Sequence, residues 1–329
     1  DYPDYDEYPY VQKLADYIGM DLERVELSLD TLADNMESFL QCSSFPQGDT
    51  SSLASYALAK VCSAQYRVVL GGDGGDELFC GYPTCLYPQL RSNWVWIPRA
   101  AFSWAHACVR RYSSENTYLP LAFKLQFMKQ AWSLPDHQAQ YEMKNYLPAS
   151  LAQSILSDEL LALSSDGAGG SVIEEAHKNC PVDGAARRMS WADMNTFLRS
   201  CTIPKTERNS MLHSLECRLP FLDNEMLQLS LRTPQSLMLK GKQLKYCLRQ
   251  LHLKKTDMKK VSNPRKQGFT PPIKALLKHR LKGWYEYAIN IDSPWLSKNA
   301  DKKIKQWEDR GYDLHRLKWS LAVMNDWLN

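Results

Sequence analysis

The feature that most constrains the fold is a short apolar run that ends in a glycine-rich loop. The run from Val68 to Leu70 has the length and β-branched composition of a buried strand, and the loop Gly71–Asp76 follows it directly. Leu78 and Phe79 then begin a helical pattern. Because glycines leave backbone N–H groups without neighbouring Cβ atoms, this strand–loop–helix order predicts close approach of an anionic group.

The acids of this loop restrict which anion it can accept. Asp73, Asp76 and Glu77 would repel a phosphate unless a cation lay between them, and magnesium is the usual bridge between carboxylates and phosphate oxygens. The alternative is a tight turn whose acids only cap the following helix. Four glycines and three acids within seven residues favour the ligand site over the cap.

Composition excludes several classes of protein. The chain has 44% hydrophobic and 23% charged residues and a net charge of +3, which is typical of a soluble globular protein without a nucleic-acid surface. Its nine cysteines show no CxxC spacing, which argues against zinc and a disulfide scaffold and favours a reducing, cytoplasmic location. The most apolar stretch, 94–109, is shorter than the roughly 20 residues of a membrane span, so we expect no membrane partner.

Strand and helix patterns alternate in the first 90 residues. Val25, Leu27 and Leu29 alternate as in a strand before the run at 68–70, and helical patterns separate the two. This order predicts an α/β fold with a doubly wound parallel sheet and ligands at the carboxyl ends of its strands. Two strands cannot complete such a sheet, so we expect the missing strands to come from sequence that precedes Asp1.

The remainder of the chain has helical periodicity. We therefore divide the whole chain into residues 1–90, which are the C-terminal part of the α/β core, and residues 91–329, which are a large helical region of the same domain. The predicted helices include 149–163 and 271–290. Between helical segments, the Gly/Ser-rich stretch 166–171 is predicted to be a linker.

Two long motifs resemble one known family. GGDGGDELFCGY at 71–82 resembles the second nucleotide-site motif of the synthase domain of glutamine-hydrolysing asparagine synthetases, and residues 205–223 resemble that family's KxDRxSMxxSLExRxPFLD segment. Shorter matches at 241–246 and 264–269 follow in the family's order, so the resemblance covers nearly the whole chain. It implies a fold like the PP-loop ATPases and adenine nucleotide alpha hydrolases. The family's SGGxDS pyrophosphate loop and its N-terminal glutaminase domain have no match, and we expect both upstream.

The resemblance implies ATP-dependent asparagine synthesis with Mg²⁺. Aspartate would be adenylated to β-aspartyl-AMP with release of pyrophosphate, and ammonia derived from glutamine would then form the amide. The partners implied are these small molecules, with a homodimer as one option. Two alternatives stay open: a related amide ligase that acts on a saccharide, peptide or secondary metabolite, and a truncated homologue without catalysis. We expect residues 1–329 alone to be inactive, because half of the pyrophosphate grip would be missing.

The resemblance also assigns roles to individual residues. The residues implied are Asp73 and Lys266 for catalysis, Leu70, Gly71 and Gly72 for ATP, Asp76 for the metal, and Asp49, Ser51, Lys205, Arg208, Glu216 and Lys245 for substrate or phosphate. Several of these residues also have a simpler structural explanation. Lys266 is then a solvated loop lysine, Ser51 is a helix cap, and Lys205 and Arg208 belong to an ion-pair network that holds helices together. Lys205 and Arg208 are three residues apart and would share one face of a helix.

The chain also departs from the family pattern at three positions. Gly71 replaces the usual serine, Cys80 replaces a small residue, and Glu207 stands where aspartate is more common. None of these substitutions by itself removes the predicted site.

Overall fold

A computed structural model describes residues 6–94, 96–109, 121–147, 149–164, 168–256, 269–291 and 293–329. The predicted strand forms as β1 (Val68–Leu70), and it pairs in parallel with β2 (Glu216–Arg218). The register places Val68 opposite Glu216 and Leu70 opposite Arg218. The Gly71 N–H continues the ladder by donating to the Arg218 carbonyl at 2.8 Å. Strand β2 lies inside the range predicted to be helical, because three residues are too few to show an alternating pattern.

Helices make up most of the described chain. The helices of the first half are α1 (Tyr8–Ile18), α2 (Leu29–Asp34), α3 (Met36–Cys42), α4 (Ser52–Cys62), α5 (Gly75–Leu78), α6 (Tyr87–Asn93), α7 (Arg99–Val109), α8 (Leu121–Ala131), α9 (Asp136–Lys144), α10 (Ala149–Ile155) and α11 (Asp158–Ser164). Those of the second half are α12 (Ala168–Lys178), α13 (Ala185–Asp193), a π-helix (Met194–Thr202), α14 (Ile203–Met211), α15 (Asn224–Arg232), α16 (Gln235–Met238), α17 (Tyr246–Thr256), α18 (Ile273–Lys278), α19 (Lys282–Asn290), α20 (Ala300–Asp309) and α21 (His315–Leu328). Short 3₁₀ turns occupy Pro83–Leu86 and Pro220–Leu222.

The strand predicted around Val25, Leu27 and Leu29 is wrong. Residues 20–28 form neither helix nor strand, and Leu29 begins α2. The burial of these residues alternates as the pattern suggested, with Val25 and Leu27 partly buried and their neighbours exposed. Among the described residues no strand pairs with them, and alternation without a hydrogen-bonded neighbour does not make a strand.

Two of the predicted long helices are helical, but each is divided into two shorter helices. The segment 149–163 divides into α10 and α11, and 271–290 divides into α18 and α19. The predicted linker 166–171 is wrong from Ala168 onwards, where α12 begins, whereas 165–167 lie outside the described residues. Packing of Ile173 and Ala176 against Ala192 stabilises α12 despite the glycines at its start.

The hydrophobic core joins the two ends of the chain. Phe39 and Leu53 pack with Ile273, Leu276 and Trp319 in one buried cluster, so α18 and α21 cover the helices that precede β1. A second cluster surrounds the glycine loop from the other side, where Leu78, Phe79 and Cys80 pack against Met189 and Met238. The loop is therefore held between the first 90 residues and the helical region. Within the described ranges, no helix combines the length and apolarity needed to cross a membrane.

Candidate active site

The glycine loop has the backbone freedom that its sequence suggested. Gly74 has φ +90°, and a Cβ there would lie 2.3 Å from Leu222 Cδ2. A Cβ at Gly71 would lie 2.7 Å from Leu219 Cδ2 and 2.9 Å from Cys217 Sγ, which accounts for glycine where the related motif has serine. A Cβ at Gly72 would meet no atom within 4 Å. The backbone at Gly72 is therefore open to a ligand, and so is the side chain of Leu70, which is 75% exposed.

Asp76 and Lys245 form an ion pair at this loop. The Lys245 Nζ lies 2.8 Å from the Asp76 Oδ1, and their side chains retain only 28% and 16% exposure. Gly81 makes room for the pair, because a Cβ there would lie 2.0 Å from Asp76 Oδ1 and 2.3 Å from Lys245 Cε. Gly81 is part of the motif at 71–82, but its contact with this pair was not predicted from the sequence.

Asp73 is fixed by the helix that carries the second motif. The Thr206 hydroxyl donates to Asp73 Oδ2 at 2.5 Å, and Thr206 belongs to α14. Burial and the nearby Asp73 carboxylate raise the pKa of Cys217 on β2. The hydrogen bond from Thr206 therefore orients the Asp73 side chain in the loop that follows β1.

The preceding residue of α14 holds a third acid. Lys205 Nζ lies 3.3 Å from Asp49 Oδ2 and donates to Ser51 Oγ at 2.8 Å. Asp49 also accepts from the Ser51 backbone N–H and hydroxyl, both at 2.8 Å. Burial would raise the pKa of Asp49, but the Lys205 charge and the Ser51 hydrogen bonds outweigh it and hold the pKa below its usual value. Cys201 donates to the same carboxylate at 3.5 Å.

Arg208 and Glu216 lie apart from these pairs. Arg208 faces the same 44–51 segment as Lys205, with Nη1 2.9 Å from Ser44 Oγ and its guanidinium 3.8 Å from the Phe45 ring centre. Glu216 pairs with Arg218 at 2.8 Å on the surface, at the start of β2 rather than at its carboxyl end. Lys266 lies outside the described residues.

A buried polar layer beneath the loop was not predicted. Tyr82 donates to Glu77 Oε1 at 2.7 Å, and burial raises the pKa of Glu77. Asp193 is completely buried and accepts from Gln140 at 2.6 Å, while Lys144 Nζ lies 2.8 Å from the same oxygen. Glu77 is visible in the motif, but nothing in the local sequence distinguishes Lys144 or Asp193 from ordinary helix residues.

The π-helix Met194–Thr202 connects this layer to the Asp49 pair. Its Phe197 ring packs edge-on against Tyr82 with centroids 5.9 Å apart, and its Cys201 reaches Asp49. π-helical turns are rare and frequently lie at functional sites. Here the wider turn contacts Tyr82 with one side chain and the carboxylate of the Asp49–Lys205 pair with another.

The acids present suit a metal that brings most of its ligands with it. Among the described residues, no group of three or more His, Cys, Asp or Glu side chains is placed to hold a metal ion. Magnesium at phosphate sites is bound by only one or two carboxylates, the other ligands being phosphate oxygens and water. Asp76, beside an open glycine backbone, meets that requirement when Lys245 shares or yields its carboxylate.

Comparison with known proteins gives one family. The family model described as asparagine synthase matches residues 1–329. The asparagine synthetase (glutamine-hydrolyzing) 1 of Bacillus subtilis is 22% identical over 285 residues, which are 86% of this chain and 43% of that protein. A putative asparagine synthetase of Mycobacterium tuberculosis is 25% identical over 233 residues, 71% of this chain and 34% of that protein.

A fungal protein with a different name also matches. The amidase chry2 of Gibberella zeae is 23% identical over 282 residues, 82% of this chain and 42% of that protein. The chain thus spans less than half the length of each of these curated relatives.

Proposed function

Since this chain belongs to the asparagine synthase family, which confirms the resemblance of its motifs, we propose that the intact protein makes asparagine. In this reaction ATP activates the aspartate side chain as β-aspartyl-AMP with release of pyrophosphate, and ammonia from glutamine then displaces AMP. Family membership supports ATP-dependent amidation in general. The choice of aspartate and the roles of individual residues are our proposal.

One observation carries the proposal. Consecutive residues of α14, Lys205 and Thr206, hold Asp49 and Asp73, while Lys245 holds Asp76. Three acids from two segments of the chain are thereby oriented, and two of them, Asp73 and Asp76, follow the carboxyl end of a parallel strand, where open α/β sheets bind their ligands. Orientation of this kind can lower a barrier by roughly 7–11 kcal/mol in the most favourable cases.

In the adenylation step, the chain would bind the nucleotide mainly through its backbone. Gly72 presents an open backbone beside the exposed Leu70 side chain, and Gly71, whose N–H pairs with Arg218, would contribute only its carbonyl group. Asp76 would hold magnesium, which when bound neutralises charge on the departing pyrophosphate. Lys245, released in part from Asp76, would then lie beside the same phosphates. Lys266 keeps the catalytic role that the resemblance implies, which we take to be stabilisation of charge on phosphate during adenylation.

In the amidation step, we assign the proton to Asp73. Ammonia must lose a proton after it attacks the acyl group, and a carboxylate at hydrogen-bonding distance can accept that proton. The Thr206 hydroxyl fixes the Asp73 carboxylate in one orientation. Lys205, Asp49 and Ser51 form the adjacent polar surface, which we assign to the acceptor. Arg208 and Glu216 lie further out and would act only at the edge of that surface.

A second candidate function follows from the match to amidase chry2. The same activation chemistry would serve a different carboxylic acid, and the acceptor would then be a saccharide, a peptide or a secondary metabolite.

The test is pyrophosphate release by the intact protein with Mg-ATP, with and without aspartate. We expect aspartate to stimulate release and glutamine to convert the activated intermediate to asparagine. Asp76→Asn should abolish release and leave glutamine hydrolysis unchanged. Release that aspartate does not stimulate would reject asparagine synthesis, and a panel of other carboxylic acids would then test the second candidate.

A further inference from the structure

The two residues of the Lys144–Asp193 ion pair differ in their exposure to solvent, and a purely structural ion pair does not require such a difference. Asp193 is 0% exposed, whereas the Lys144 side chain retains 22% exposure. Gln140 donates to the same Asp193 oxygen at 2.6 Å, and Asp193 Oδ2 is buried without a hydrogen-bond partner in the described part of the chain. Burying an ion pair costs about as much desolvation energy as it returns, so stability alone does not explain the pair.

Two aromatic rings fix the Lys144 ammonium in place. Its Nζ lies 4.7 Å from the centre of Tyr82 and 4.4 Å from the centre of Phe197. The rings meet nearly at a right angle, 84°. Cation–π contacts and the Asp193 carboxylate therefore define the position of the charge from three directions. The remaining side of the Lys144 ammonium group is the partly exposed one.

That position lies against Tyr82, in the segment that follows the glycine loop. Tyr82 is the residue after Gly81, which touches Asp76 and Lys245, and Tyr82 also donates to Glu77 Oε1 at 2.7 Å. Lys144 thus contacts the residue that follows Gly81, and it does so from helix α9, more than 60 residues away in sequence. An ammonium has three N–H donors, and Asp193 is its ion-pair partner among the described residues.

We propose that Lys144 binds a phosphate oxygen of the nucleotide and that Asp193 is the positioning residue that holds it. This inference rests on the proposed nucleotide site and adds to it a cation that lies outside the family motifs. Loss of a hydrogen bond to a charged group should change the affinity for the nucleotide about 10–100-fold.

The test is calorimetric titration of Mg-ATP into the intact protein. Lys144→Met should weaken binding about 10–100-fold, and Lys144→Arg, which keeps the charge, should recover most of it. Lys318 offers a matched control: its side chain is also 22% exposed, it pairs with Glu308 at 3.3 Å, and it lies 4.7 Å from the Tyr285 ring centre. Lys318→Met should bind Mg-ATP like the wild type.

The outcomes separate the two proposals. A wild-type protein that binds no Mg-ATP would reject the proposed function and this inference with it. Wild-type binding together with an unchanged Lys144→Met affinity would reject only the role of Lys144.

A second measurement needs no Lys144 variant and so avoids misfolding. Acetylation of lysines in the wild type, followed by mass spectrometry, should slow at Lys144 and not at Lys318 when Mg-ATP is added. The Asp193→Asn variant should lose this nucleotide-dependent protection even where its melting temperature is preserved. Equal acetylation of Lys144 with and without Mg-ATP would overturn the assignment.

Discussion

Gly81 lies so close to Asp76 that a single added methyl group would occupy the position of the carboxylate. The Cβ of an alanine at 81 would be 2.0 Å from Asp76 Oδ1 and 2.7 Å from Asp76 Cα. The Gly81 N–H also donates to the Asp76 carbonyl at 2.7 Å, so the two residues are joined through their backbones as well. The glycine is therefore part of how the site orients its proposed metal ligand.

We predict that Gly81→Ala impairs activity while the protein remains folded. Displacement of Asp76 and Lys245 should reduce pyrophosphate release about 10–100-fold, the usual effect of losing a group that orients a metal ligand. Steady-state assays across a range of magnesium concentrations measure this. Gly283→Ala is the matched control, because a Cβ at Gly283 would meet no atom within 4 Å. Activity of Gly81→Ala equal to that of the control would remove Asp76 from the proposed site.

A second prediction concerns the hydroxyl that orients Asp73. Thr206→Val keeps the shape of the side chain and removes the donor at 2.5 Å from Asp73 Oδ2. Loss of a hydrogen bond to a charged acceptor should slow amide formation about 10–100-fold. Thr206→Ser keeps the donor and should stay near the wild-type rate. The measurement is the rate of amide formation with ammonium chloride in place of glutamine, and an unaffected Thr206→Val variant would argue against Asp73 as the proton acceptor.

The sequence was informative where a local pattern determines the structure. The run at Val68–Leu70 predicted β1, and the glycines predicted a loop that takes φ +90° at Gly74. The spacing of Lys205 and Arg208 predicted a shared helix face, and both side chains do contact the 44–51 segment.

What could not be predicted depends on contacts between distant segments. Strand β2 exists because Glu216–Arg218 meets β1, and three residues carry no period of their own. Lys144 reaches Asp193 only because helices α9 and α13 pack together. Local sequence contains no sign of that packing. The same holds for the ion pair of Asp76 with Lys245. Both residues were predicted to belong to the site, but their contact with each other was not.

A third prediction uses the low pKa of Asp49. The pKa of the Asp49 carboxyl group is lower in the folded protein than in the unfolded chain, where it is about 3.8. Such a group stabilises the fold at pH values above its unfolded pKa, and this contribution disappears as the pH falls through its folded pKa. Asp49→Asn should therefore lower the free energy of unfolding at pH 6, and the difference from wild type should shrink below pH 4. Urea titrations at several pH values measure it. Lys205→Met should weaken the same pH dependence, since the Lys205 charge lowers the pKa. A difference that stays constant down to pH 3 would contradict the assignment.

The last prediction concerns His177, whose ring lies 2.6 Å from Gln140 Oε1 at the back of the Asp193 layer. Burial lowers the pKa of His177 from 6.5 to about 4, so the folded protein keeps this ring neutral where the unfolded chain would protonate it. Stability from this group is fully present above pH 6.5 and is lost as the pH falls towards 4. At pH 5 we expect a loss of about 1–2 kcal/mol relative to pH 7. His177→Gln should remove that part of the pH dependence in urea unfolding, whereas His279→Gln, at an exposed histidine, should keep it. Equal slopes for wild type and His177→Gln between pH 5 and 7 would show that the neutral ring is not what the fold requires.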